Sequence, residues 1–235
     1  MTANLAVAGG SPVRTASFPS WPVYDTGDEK ALLDVLHSGR WFLADRVAEF
    51  ERVFAAYQDA RYGVSISSGT TALQVALEAL GVGVGDEVIV PSYTFVATAS
   101  AVATVGSVPV FVDVDSETYN IDPSSVEAAL TDSTRAIIAV HLAGQPADLD
   151  ALSDLAAKRG IGLIEDSAQA HGAAWKGRKV GAIGDLGTFS FQASKNLNAG
   201  EGGFVTTDDE ELANRAWSLH NCGRSRDGAW YEHPL

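Results

Sequence analysis

One cysteine, Cys222, is all the sequence carries, so no disulfide can form within the chain. Basic residues are scarce as well: sixteen Lys and Arg stand against thirty Asp and Glu, for a formal net charge of -14. Such a surface repels phosphate backbones and anionic lipid, and nucleic acid is not an expected partner. No hydrophobic run approaches the ~20 consecutive apolar residues that span a bilayer, because each is cut by Gly, Asp or His. The start, MTANLAVAGG, lacks a basic segment followed by an apolar run. These absences lead to the expectation of a soluble cytoplasmic protein with no membrane partner. No internal repeat, low-complexity tract or linker is present, and the end from Trp230 to Leu235 supplies no closing element, which carries the expectation of a chain truncated before a further domain.

What is present is enough apolar residue, 46% of the chain, for a substantial core. Residues 1 to 24 hold Gly9, Gly10, Pro12, Pro19 and Pro22 among scattered aromatics and suit an extended arm, one able to pack on a partner. From residue 25 to 235 the pattern is that of one domain. Thr26 with Glu29 predicts a capping box ahead of a first helix, and Val47, Phe50, Val53, Phe54 and Tyr57 repeat at the spacing of a second. Short apolar runs then alternate with helical patterns. Strands are predicted at Tyr62 to Ile66, Glu87 to Val90, Val108 to Val112, Ala136 to Val140, Ile161 to Ile164, Gly187 to Phe191 and Phe204 to Thr207. Helices are predicted at Thr71 to Leu80, Val96 to Val105, Ser124 to Leu130 and Asp148 to Arg159. That alternation predicts an α/β fold with a mostly parallel central sheet and helices on both faces.

In an open parallel sheet, ligands bind beyond the carboxyl ends of the strands, so the residues delivered there matter most. Ser67, Ser68, Gly69, Thr70 and Thr71 close the first strand; bare backbone N–H groups at a helix start suit a phosphate, and they suit an ordinary N-cap equally. Tyr93 and Phe95 follow the second strand, where an aromatic ring can stack on a flat ligand or enter the core. His141 follows the fourth and is left without a role. Glu165 and Asp166 end an apolar strand, and a carboxylate there needs a partner: an N-cap, a base such as Arg178 or Lys179, or a protonated ring nitrogen of a ligand. Lys195, one of five lysines, stands between a strand and a glycine-rich turn, where its amine can act as a nucleophile or simply be solvated. Each feature alone has an everyday structural reading. The set has one common explanation, a phosphorylated pyridine aldehyde, which needs an anion cradle, a ring platform, a carboxylate and a lysine; no metal is expected.

Five segments carry a resemblance: SSGTTAL at 67 to 73, GDEVIVPSYTFVAT at 85 to 98, PVFVDVD at 109 to 115, IEDSAQAHGA at 164 to 173 and GTFSFQASKNLNAGEGG at 187 to 203. Along nearly its whole length the chain resembles the DegT/DnrJ/StrS family of pyridoxal-phosphate (PLP) dependent sugar aminotransferases, in its large domain. The resemblance implies that Lys195 holds the cofactor as a Schiff base, that Asp166 pairs with the pyridine nitrogen and that Gln169 approaches the phenolic oxygen. It implies phosphate contacts from Gly69, Thr70 and Ser190, and stacking by Phe95. Lys195 occupies the position where dehydratases of this superfamily carry histidine, which favours amino transfer. The implied reaction moves an amino group from glutamate or glutamine to a keto sugar, nucleotide-linked, in a homodimer. Alternatives are a keto-cyclitol or aminobenzoate-type carbocyclic acceptor, and a non-catalytic regulatory or binding protein on the same fold. A nicotinamide enzyme is disfavoured because SSGTTAL has one glycine where a dinucleotide-binding turn needs three.

Overall fold

The computed structural model describes residues 4–226. Its elements in chain order are α1 (Thr26–Ser38), α2 (Asp45–Tyr57), β1 (Tyr62–Ile66), α3 (Gly69–Ala79), β2 (Glu87–Pro91), α4 (Ala97–Thr104), β3 (Val108–Val112) and α5 (Pro123–Ala129). They continue with β4 (Thr134–Val140), α6 (Leu149–Arg159), β5 (Gly162–Asp166), β6 (Ala174–Trp175), β7 (Arg178–Lys179), β8 (Leu186–Ser190), β9 (Gly203–Thr207) and α7 (Glu210–His220). Seven strands form one sheet in the order β1-β9-β8-β5-β4-β2-β3, while β6 and β7 make a separate two-stranded ribbon. β9 pairs antiparallel with both β1 and β8, and every other pairing in the large sheet is parallel. β9 alone therefore runs against the rest, and six strands deliver their carboxyl ends to one edge.

The strand periodicity of two sorts the core. Ala136, Ile138 and Val140 of β4 join a cluster with α3, α4 and α7 on one face, whereas Ile137 and Ala139 join α5 and α6 on the other. A third, aromatic cluster sits under α2, where Phe54 meets Phe189, Phe191 and Phe204 at centroid distances of 5.0 to 5.2 Å. Helix starts follow capping chemistry. Asp122 accepts hydrogen bonds from the N–H groups of Ser124 and Ser125, with Pro123 in the first turn, and Asp148 accepts one from Ala151 N–H.

Several predicted boundaries move. The capping box of α1 is built one residue earlier than expected, from Asp25 and Asp28 rather than Thr26 and Glu29. β4 begins at Thr134, two residues early, because Thr134 is buried and its Oγ1 accepts a hydrogen bond from Thr131 N–H. β5 runs on through Glu165 and Asp166, whose buried carboxylates find partners inside the fold. The β6–β7 ribbon and α7 were not anticipated. α7 buries Ala213, Ala216 and Ser218, and Ala216 joins the cluster that contains α3, with Leu212, Trp217 and Leu219 packed against it. The arm from residue 4 to 25 holds only a single turn of 3-10 helix, at Ala6–Ala8, and is exposed. Its Trp21 indole N–H nonetheless donates to the carbonyl of Ala193 at 2.8 Å, tying the arm to the turn that bears Lys195. No helix among the described residues is long and apolar enough to cross a membrane.

Candidate active site

Gly69, Thr70, Phe95, Asp166, Gln169, Ser190 and Lys195 all line one cleft of about 390 Å³ at the carboxyl edge of the sheet. Ser68, Thr94, Ser194 and Glu201 complete much of its polar lining.

One wall is the start of α3. Ser68 caps it, its Oγ accepting from Thr71 N–H at 3.1 Å and its carbonyl from Ala72 N–H at 2.9 Å. The N–H groups of Gly69 and Thr70 have no acceptor among the described residues, so the positive helix end presents two bare donors to the cleft. Close packing of the neighbouring strands fixes this loop. A Cβ at Gly69 would lie 2.7 Å from Ser190 Cβ; one at Gly203 would lie 2.8 Å from Gly69 N and closer still to the Ser68 carbonyl. A larger residue at either position would displace the donors.

The floor is Asp166. Thr98 of α4 donates its hydroxyl to Oδ2 at 2.9 Å, and Ala168 N–H donates to Oδ1 at 3.2 Å. Thr98 has one proton, spent on Asp166, so Thr94 must supply the hydrogen of the 2.9 Å bond between the two hydroxyls. Burial raises the Asp166 carboxyl above the ordinary value of 3.8, against the opposing effects of the Thr98 and Ala168 hydrogen bonds and the charge of Lys195. The site thus holds a buried acid short of positive charge. Arg178 and Lys179, candidate partners in the sequence, are elsewhere: Arg178 pairs with Asp208 at 2.8 Å, and Lys179 donates to the carbonyl of Tyr57.

Glu165 points to the opposite face, with His141. The His141 Nδ1 accepts from Ala147 N–H at 3.1 Å, so Nε2 carries the proton and donates to Glu165 Oε2 at 3.0 Å. Glu165 also accepts from the N–H groups of Gly181, Ile183 and Gly184, each at 2.7 Å. Burial opposes its charge, yet the hydrogen bond from His141, with the Gly181 and Gly184 amides, brings its carboxyl below the ordinary value. The sequence left His141 without a role; an imidazole following one strand and a carboxylate on the next were the available signal.

Lys195 rides a turn held at several points. Its own N–H donates to Gln192 O at 2.8 Å, Ala193 N–H to Gly200 O at 2.9 Å, and Phe191 N–H to Gly202 O at 2.8 Å. Its Nζ has no hydrogen-bond or ion-pair partner among the described residues, so a half-buried amine faces the cleft. Gln169 is fixed by Ala143, whose N–H donates to Oε1 at 2.8 Å. Phe95 lines the cleft and is 67% exposed, and Tyr93 leans on Tyr119 with centroids 6.0 Å apart. Among the described residues, no group of three or more His, Cys, Asp or Glu is placed to hold a metal ion.

Residues 23–234 match the profile of the DegT/DnrJ/EryC1/StrS aminotransferase family. The chain belongs to that family. It is 49% identical over 235 residues to the L-glutamine:2-deoxy-scyllo-inosose aminotransferase of Streptomyces paromomycinus, covering 97% of this chain and 55% of that enzyme. The crystal structure of 3-amino-5-hydroxybenzoic acid synthase superposes with a TM-score of 0.90 at 44% identity, over 94% of this chain and 59% of that one. NtdA from Bacillus subtilis, solved with bound cofactor PMP, superposes with a TM-score of 0.82 at 34% identity, over 88% of this chain and 47% of that one. The family member described here therefore spans little more than half the length of the relatives it matches. Its α/β architecture corresponds to a shared portion of those longer aminotransferases.

Proposed function

We propose that this chain supplies the cofactor-binding large domain of a PLP-dependent aminotransferase that takes its amino group from L-glutamine and delivers it to a carbocyclic ketone. The observation that carries the proposal is the meeting, in one cleft, of two unpaired helix N–H donors, a buried acid short of positive charge and an unpaired lysine. Pyridoxal phosphate fits this set group by group. Its phosphate suits the Gly69 and Thr70 donors with Ser190 beside them, its protonated ring nitrogen suits Asp166, and its aldehyde suits Lys195. NtdA, similar in fold and solved with bound PMP, supports the same choice.

When bound, the cofactor supplies a cationic ring able to hold the electron pair left as a substrate carbon loses its proton. The protein's own part is electrostatic and positional. Asp166, kept from water and oriented by Thr98 and Ala168, gains on pairing with a ring cation what burial otherwise costs it. Phe95 offers its exposed face for stacking, and Gln169 keeps its amide hydrogens for an acceptor oxygen on the ring. Lys195 provides the amine that attaches the cofactor and later carries a proton to and from the substrate carbon. Lys195 is a lysine rather than a histidine, which favours amino transfer over dehydration.

The nucleotide-linked keto sugar implied by the family resemblance has less support than the carbocyclic alternative. The Streptomyces paromomycinus relative acts on 2-deoxy-scyllo-inosose with L-glutamine, and the synthase of known structure makes 3-amino-5-hydroxybenzoic acid. Exposed Leu32 and Leu36 on α1, at 74% and 55%, with Val7 and Phe18 of the arm, support a homodimer in which this apolar surface is covered.

Lys195→Ala tests the cofactor assignment. Wild-type protein mixed with PLP is expected to gain a visible absorption band, and borohydride should fix the cofactor's mass on the peptide containing Lys195. The variant should do neither. Folded wild-type protein that stays colourless would overturn the proposal. For the acceptor, the full-length protein with L-glutamine should aminate an inosose in preference to a nucleotide-linked keto sugar; the reverse preference would return the sugar reading.

A further inference from the structure

The turn after β4 is anchored at both ends, and the anchors lie outside the cleft. Asn120, 3% exposed, belongs to the segment joining β3 to α5. Its Oδ1 accepts from Leu142 N–H at 3.1 Å, and its Nδ2 donates to the carbonyls of Gln145 and Pro146, both at 3.0 Å. His141, locked to Glu165, ties the residues flanking the same turn by accepting from Ala147 N–H. Between these anchors Ala143 adopts φ 52°, a left-handed conformation that a residue with a Cβ keeps only where its surroundings hold it. That conformation aims the Ala143 N–H at Gln169 Oε1. With the carbonyl end of the Gln169 amide engaged, the end left for the cleft is the NH2 group.

We propose that Asn120 is a positioning residue that acts through Gln169: by pinning the Leu142–Pro146 turn it sets the polarity of the Gln169 amide, so that the cleft offers an N–H donor to an oxyanion on the bound ring. The proposal rests on the cofactor reading above and adds a residue that never touches the ligand. Without the anchor, the turn loses the constraint on Ala143, and the Gln169 amide can rotate to present its carbonyl to the same oxyanion, a repulsive contact.

The test compares wild type, Asn120→Ala, Gln169→Ala and the double variant, each checked for folding by thermal melting. Two readouts are taken: amide hydrogen exchange of residues 142–147 without added cofactor, and the pH midpoint of the visible band of PLP-loaded protein. Asn120→Ala, which removes three hydrogen bonds to the turn, is expected to speed exchange in that segment by about tenfold or more. It should move the spectral midpoint in the same direction as Gln169→Ala, and by less. In the Gln169→Ala background it should move the midpoint no further, since an effect relayed by Gln169 disappears with it. Equal shifts in both backgrounds, or a midpoint that Gln169→Ala moves and Asn120→Ala does not, would overturn the proposal. Should Asn120→Ala fail to fold, Asn120→Asp keeps the acceptor for Leu142 while removing both donations, and the same non-additivity is required of it. A wild type with no visible band sinks the cofactor reading and this proposal together. A normal band that Gln169→Ala leaves unmoved sinks this proposal alone.

Discussion

Glu165 and Asp166 are consecutive, end the same strand and are both buried, yet their surroundings treat them in opposite ways. Glu165 turns toward α5 and α6 and accepts four hydrogen bonds, from three backbone amides and His141, so its charge is held inside the fold. Asp166 turns toward α3 and α4, receives two, and has its carboxyl raised by burial. The side-chain alternation of a strand accounts for the split: neighbouring residues must face opposite sides of the sheet. One carboxylate is spent on architecture. The other is left incomplete at the wall of a cleft, and incompleteness is what a binding site for a cation requires.

Removing the structural member is expected to have the largest effect. Glu165→Ala leaves His141 and the amides of Gly181, Ile183 and Gly184 without their acceptor, and each buried donor so stranded costs about 1–3 kcal/mol. Urea unfolding should show that loss in the protein without cofactor. If Glu165→Ala is no less stable than Asp166→Ala, the contrast between the two carboxylates is wrong. Next comes Asp166→Asn, expected to fold normally and to bind PLP about 10–100-fold more weakly, the range of one charged hydrogen bond. Fluorescence or absorbance titration of the cofactor reads this directly, and unchanged affinity would remove Asp166 from the site.

Much of the fold and of the cleft is legible in the sequence. Period-two alternation and the β–α rhythm give the parallel sheet, and the sheet's geometry sends Ser67–Thr71, Phe95, Asp166 and Lys195 to one edge. The partners were not legible. Glu165 finds three of its donors in residues 181–184, a segment without regular structure whose path depends on the turn that follows the β6–β7 ribbon. Nothing in local periodicity encodes that path. Asn120 was missed for the same reason: its partners lie 22 to 26 residues away, and a buried asparagine is indistinguishable in sequence from one in a surface turn. The fully buried residues of α7 are two alanines and a serine, which contribute little hydrophobic signal to the sequence. The nucleotide-sugar expectation rested on the family as a whole, whereas the relatives that the chain matches include an inosose aminotransferase and 3-amino-5-hydroxybenzoic acid synthase.

The smallest expected effect is one of pH, and it sharpens the comparison by sign. For Glu165 the folded-state carboxyl lies below its ordinary value, so the folded protein binds fewer protons than the unfolded chain. Its stabilising contribution is present above the unfolded value and is lost as pH falls through the lower, folded one. For Asp166 the folded-state carboxyl lies above 3.8, so the folded protein binds more protons, and stability from this residue declines as pH rises from 3.8 through the raised value. Asp166→Asn removes that decline. In the protein without cofactor, the stability of the variant relative to wild type should therefore grow more favourable as pH rises through this window and then level off, measured by urea unfolding at fixed ionic strength. Adding PLP should reverse the preference above the window, since the charged carboxylate then gains its ring cation and the asparagine does not. A difference that is flat with pH, or that becomes less favourable as pH rises, would mean that Asp166 is already neutralised within the fold, and the two carboxylates would then be alike.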